Sequence, residues 1–205
     1  MKVFKQIACM ALVLVMLSGL VACAPKEFEH QTMMDFCEEQ DMDECDDLEE
    51  FFKESSPILG GISGSVSAKG VYYSCKKSDA QEIYDKIFNR FAPYPSYDVE
   101  ETTAFTYCDE DGLYMGFLFT MEDEKDAKKL LKKYIDQDSE TCETGTEKGC
   151  EYFIDLGDTP SGKPMAEGFY LIGKTVVMIK GISYNTDFAD DFSKAFKVKS
   201  PTELD

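Results

Sequence analysis

Apolar residues switch from alternating to helical spacing three times along this chain, and that switching limits its architecture more than any other feature. Val71, Tyr73 and Cys75 share one face of a strand expected over Val66–Cys75. From Ser78-Asp79-Ala80 the apolar positions become Ala80, Ile83, Tyr84, Ile87, Phe88 and Phe91, which is helical spacing, and Pro93 and Pro95 end the run. Two strands follow, Val99–Cys108 and Leu113–Thr120, joined at Asp109-Glu110-Asp111-Gly112, where Asp-Gly is a hairpin signal. A second helix carries Ala127, Leu130, Leu131, Tyr134 and Ile135 on one face. After an irregular stretch from Gln137 to Cys150 come a strand at Glu151–Leu156 and a hairpin of Gly168–Ile172 and Thr175–Ile182. A last helix over Asp187–Lys197 presents Phe188, Ala189, Phe192, Ala195 and Phe196.

Strand runs followed by helices predict an α+β fold, with an antiparallel sheet and helices packed on one face. Ser78-Asp79-Ala80 and Lys125-Asp126-Ala127 begin their helices alike, 47 positions apart, which suggests repeated hairpin-plus-helix units. Upstream, Thr32–Gln40 reads as a short helix, with Thr32 as its cap. A second short helix is expected around Asp46–Lys53, then a loop at Pro57–Gly61 and a strand beginning at Gly64-Ser65.

The first residues belong to no such unit. MKVFKQIACMALVLVMLSGLVAC has a basic start at Lys2 and Lys5, then an uncharged run from Ile7 to Val21. This is the layout of a secretory signal. The run is shorter than the roughly 20 residues of a stable membrane span.

Leu20-Val21-Ala22-Cys23 resembles the lipobox of bacterial lipoproteins, Leu-x-(Ala/Gly)-Cys. The resemblance covers only the export segment. It implies cleavage after Ala22, a diacylglycerol on the Cys23 sulfur, and attachment to the outer face of the cell membrane. Two acyl chains give the stable anchoring that one does not. Residues 1–22 would then be a signal peptide, 23–31 a lipidated tether, and 32–205 a single extracytoplasmic domain. The layout is similar to that of small Gram-positive surface lipoproteins of unassigned function.

Without residues 1–22 the chain keeps 19 basic and 40 acidic residues, a net charge near −21. Nucleic acid is excluded as a partner, because binding it needs Lys and Arg against phosphate. The total charge also opposes docking on anionic lipid. Fifteen Phe and 11 Tyr, at strand and helix spacing, argue for a packed core rather than disorder.

Six cysteines lie beyond the export segment: Cys37, Cys45, Cys75, Cys108, Cys142 and Cys150. An even count in an exported domain suggests three disulfides, and six cysteines can pair in fifteen ways. The simplest connectivity is sequential, 37–45, 75–108 and 142–150. On one straight helix Cys37 and Cys45 would stand about 12 Å apart, beyond disulfide reach, so pairing requires a break near Asp41–Asp43.

Candidate chemistry is sparse. Gly157-Asp-Thr-Pro-Ser-Gly162-Lys163-Pro164 resembles a P-loop, but Pro164 replaces the hydroxyl that would bind magnesium, and no amphipathic helix follows. A polar loop is expected there, and no cofactor. Asp41, Asp43 and Asp46 alternate in a way that could offer oxygen to a cation, although Asp46 stands where an EF-hand loop needs Gly. His30, the only histidine, falls in the tether, so no Ser-His-Asp or Cys-His set can be assembled. The expectation is a non-enzymatic, lipid-anchored domain that binds a protein or small-molecule partner. Alternatives are a cation- or small-solute-binding lipoprotein and a hydrolase using carboxylates alone.

Overall fold

The computed structural model describes residues 27–59, 70–91, 95–110, 112–136, 142–159, 162–183 and 186–204. The signal segment, Cys23 and the expected strand start at Gly64-Ser65 lie outside the described residues.

Eight strands form one sheet in the order β1-β2-β3-β4-β8-β7-β6-β5. They are β1 (Asp43–Glu44), β2 (Val71–Lys76), β3 (Val99–Cys108), β4 (Gly112–Met121), β5 (Glu143–Glu147), β6 (Cys150–Asp158), β7 (Pro164–Ile172) and β8 (Thr175–Ser183). Only β1 runs parallel to its neighbour, β2; every other pair is antiparallel. Among the described residues five α-helices join them: α1 (His30–Glu39), α2 (Leu48–Leu59), α3 (Ser78–Phe91), α4 (Glu124–Ile135) and α5 (Asp187–Phe196), with a 3-10 turn at Pro201–Glu203. The fold is α+β, as the apolar spacing predicts.

The helices cover both faces of the sheet, not one. On the first face Phe51 of α2, Ala80 and Ile83 of α3, and Ala127 and Leu130 of α4 pack against Ala104, Phe117, Phe169 and Val176. On the second, Met33 and Phe36 of α1 and Phe188 and Phe192 of α5 pack against Phe105, Leu118, Tyr170 and Val177. The reason lies in the strands. Phe117 to Phe119, Phe169 to Leu171 and Val176 to Ile179 are buried at successive positions, which a strand achieves only when both its faces are covered. The two helices with matching starts, α3 and α4, do lie on the same face, each with a fully buried alanine at its third or fourth residue, Ala80 and Ala127.

Local chemistry fixes the boundaries. Asp123 caps α4 by accepting from the Lys125 amide at 2.7 Å. Glu124 and Asp126 then stand in its first turn and Lys132 and Lys133 in its last, matching the helix dipole. The chain breaks at Asp41, in the left-handed region at φ 56°, between α1 and β1. At Gly116 a side chain would collide with the Phe105 ring from β3, and at Gly181 with Tyr114, so glycine lets these rings lie flat on the sheet.

Two strands were not expected. Within the stretch read as irregular, Glu143–Glu147 forms the edge strand β5, paired with β6. Its ETGTE sequence lacks apolar alternation, because it lies half-buried at an edge. Asp43–Glu44 forms β1, too short for any periodicity to show. The Asp109 hairpin is formed as expected, with the Gly112 amide donating to Asp109 Oδ1 at 2.9 Å.

Candidate functional site

Strand direction gives the sheet two distinct ends. The β5–β6 turn at Lys148-Gly149 and the β7–β8 turn at Gly173-Lys174 share one end. The β3–β4 and β6–β7 turns, with Asp109 and Lys163, share the other.

The chain enters the fold at the first end. Phe28 is buried; its amide donates to Thr175 Oγ1 at 2.7 Å, and its ring meets Phe196 edge-on at 5.8 Å. His30 opens α1 rather than lying in a tether. Its Nδ1 is 2.8 Å from Thr103 Oγ1 and its Nε2 is 2.9 Å from Thr120 Oγ1. Thr103 in turn meets Ser74 Oγ at 2.9 Å. Burial lowers the His30 pKa to about 4, with Glu101 opposing and Lys76 assisting. The ring is therefore neutral at pH 7, one nitrogen donating and the other accepting. Phe28 and His30, both within the stretch expected as tether, are thus already packed into the fold.

Beside this entry lies a cleft of about 420 Å³ between the end of α5, the segment after it and the β5–β6 turn. Lys148, Lys194, Lys197 and Lys199 line it, facing Glu147, Asp190 and Glu203. The structure of its wall follows from local sequence. Lys197 adopts the left-handed conformation at the helix terminus, and the Val198 amide returns to the Ser193 carbonyl. That turn sends Lys199 across the sheet, where its carbonyl accepts from the Tyr170 hydroxyl at 2.6 Å. Asp190 accepts from the Ser200 hydroxyl at 2.6 Å and also from the Thr202 hydroxyl. Lys199 Nζ donates to both Glu143 oxygens at 2.7 Å and lowers the Glu143 pKa. Lys148 pairs with Glu147 and Lys194 with Asp191, both at the surface. Lys197 has no ion pair among the described residues.

A second polar group lies under α4. Asp155, Glu167 and Lys180 are successive cross-strand neighbours on β6, β7 and β8. Asp155 and Glu167 are buried. Glu167 accepts from Lys180 Nζ at 2.8 Å and from the Tyr134 hydroxyl. Burial raises the Glu167 pKa and Lys180 opposes the rise. With both its oxygens occupied, Glu167 is held as a strut between strands and helix.

No family model, curated protein or solved structure matches the chain.

The residues singled out from sequence are not brought together. None of the six cysteines expected as three disulfides forms a disulfide among the described residues. Sequential pairing fails on geometry. Cys37 packs on the second face and Cys45 on the first, and Cys150 and Cys142 are divided in the same way. Cys75 sits opposite Thr102, six positions along β3 from Cys108, or about 20 Å. Asp41, Asp43 and Asp46 are spread over a left-handed break, a two-residue strand and the turn before α2, where the Asp46 amide is used by Glu50. No three His, Cys, Asp or Glu residues converge on a metal-sized site among the described residues. Of the P-loop-like stretch, Gly157 and Asp158 end β6, the Thr159 amide donates to the Lys163 carbonyl, and Pro164 opens strand β7 rather than a helix.

Sequence reasoning missed the cleft. Lys194, Lys197 and Lys199 lie close together in sequence, but the left-handed turn at Lys197 and the distant Lys148 make them a wall. The pairing of His30 with Thr103 and Thr120 spans 73 and 90 residues and leaves no local signal.

Proposed function

We propose that this chain is a lipid-anchored extracytoplasmic protein whose domain is a non-enzymatic interaction module, engaging its partner through the lysine-lined cleft. The observation that carries the reading is the position of that cleft. Its lining residue Lys197 directly follows Phe196, whose ring Phe28 meets, at the end of the domain where the described chain begins.

Several features support the parts of this reading. The export segment and the Leu20-Val21-Ala22-Cys23 motif support the anchor. A non-enzymatic role is supported by the engagement of the chain's one histidine by two threonines, and by the raised thiol pKa values, which keep thiolate scarce. Cys45 is pushed up to about 11, Cys75 to about 12 and Cys150 to about 12, each chiefly by burial. Concave sites with a few converging polar groups are the usual place for ligand recognition.

The experiment is a comparison of wild-type and Cys23→Ser cells, treated intact with a membrane-impermeant amine reagent. Wild-type protein should remain with the cells and be labelled. The Cys23→Ser protein should appear in the medium or stay as an uncleaved precursor. Cytoplasmic, unlabelled protein in both strains would defeat the reading.

A further inference from the structure

We infer that the cleft formed by Lys148, Lys194, Lys197 and Lys199 docks the domain on the phosphate head groups of the membrane that holds its anchor. The inference rests on the lipid-anchored reading and names the partner of the same cleft.

Three observations converge on it. The first is reach. Glu27 is described and lies near Lys174; it adds to the rise in the Lys174 pKa that the hydrogen bond to Glu100 begins. From Cys23 to Glu27 is four residue steps, about 14 Å when fully extended. The turns at Lys148 and Lys174 and the α5 terminus at Lys197 share the end of the domain where the chain enters. A lipid on Cys23 holds that end against the bilayer.

The second is charge. The whole chain carries 40 acidic and 21 basic residues, a balance that opposes an anionic surface. The cleft departs from it, its lining holding four lysines to three acids, with Glu143 and Asp191 paired to two of the lysines. The lysine cleft stands at the end toward the anchor, which also carries Glu27, Glu100 and Glu122 around Lys174. Juxtamembrane lysines are attracted to anionic lipid over about one Debye length, so their position counts for more than the total charge.

The third is availability. Lys197 has no ion pair among the described residues. The partners of Lys148 and Lys194 are Glu147 and Asp191, half-exposed side chains in surface pairs of the weak kind, from which a lysine readily turns to phosphate. Lys199, tied to Glu143 and only 20% exposed, fixes the cleft floor. Lysine meets phosphate as a point charge, without demanding geometry, which suits a fluid array of head groups.

The test uses the mature lipidated protein, extracted from membranes and reconstituted into vesicles. One set is phosphatidylcholine alone; the other contains phosphatidylglycerol. Each lysine is acetylated for a fixed time and its modification read by mass spectrometry. The Cys23 peptide is weighed first: without lipid on it, the anchored reading and the docking inference both fail. With lipid present, Lys148, Lys194 and Lys197 should react at least about threefold more slowly on phosphatidylglycerol vesicles. Lys163, at the far end, should react at one rate on both. Equal rates for the cleft lysines would overturn the docking while leaving the anchor standing. Protection by free inorganic phosphate on phosphatidylcholine vesicles, without protection by phosphatidylglycerol, would make the cleft a soluble-anion site and also overturn it.

Discussion

The Glu167 carboxylate, 3% exposed, accepts a 2.8 Å hydrogen bond from Lys180 across the β7–β8 pair. Removing one partner leaves a buried charge. Lys180→Met should therefore destabilise the fold by about 3 kcal/mol, the low end of the range for a buried pair because Lys180 is about a third exposed. Glu167→Met with Lys180→Met should recover most of that loss. Urea denaturation of the single and double variants checks this. A double variant no more stable than Lys180→Met would show that the pair is not acting as a unit.

His30 makes stability depend on pH. In the unfolded chain it takes a proton near 6.5; in the fold, only near 4. Between those values the unfolded state binds more protons, so stability falls as pH drops through that window and levels off below it. The loss attributable to His30 is about 3 kcal/mol at most, less the screening from its partial exposure. His30→Gln should flatten this segment of the profile in thermal melts at a series of pH values. An unchanged slope in the variant would assign the effect to other groups.

Cys37, Cys45 and Cys150 should behave as buried thiols, and Cys75 as a half-buried one. Intact mass should not change on reduction, and alkylation at about pH 8 should be slow until denaturant is added, because burial raises the thiol pKa values. A mass gain of about six hydrogens on reduction would show three disulfides instead.

Gly116→Ala should cost about 1–3 kcal/mol, because the new methyl meets the Phe105 ring, which is fully buried and cannot withdraw. Adding Phe105→Leu should relieve part of that cost. Equal stability of wild type and Gly116→Ala in chemical denaturation would contradict the close packing described.

Much of this fold is legible in the sequence, and the exceptions have physical causes. The apolar spacing around Ala80, Leu130 and Phe192 gives three helices, and Asp109 with Gly112 gives the central hairpin. The two-sided burial was also present, in the unbroken apolar run Phe117-Leu118-Phe119, but strand spacing alone does not tell which face a helix will cover. The edge strand at Glu143–Glu147 is polar because water reaches it, and polar strands carry no periodic signal. Total charge leaves one surface feature unseen: a sum over 205 residues hides a cleft made by four lysines whose nearness depends on Lys197 adopting a left-handed turn. The cysteine count misled similarly, because count and order say nothing about which face of a sheet a thiol occupies.

The central claim is that Cys23 becomes the lipid-bearing first residue of the mature protein. Mass spectrometry of the N-terminal peptide of protein isolated from the membrane fraction tests it most directly. The account predicts a peptide beginning at Cys23 and carrying a thioether-linked diacylglycerol. A mature peptide that begins elsewhere, or begins at Cys23 with a free thiol, would contradict it.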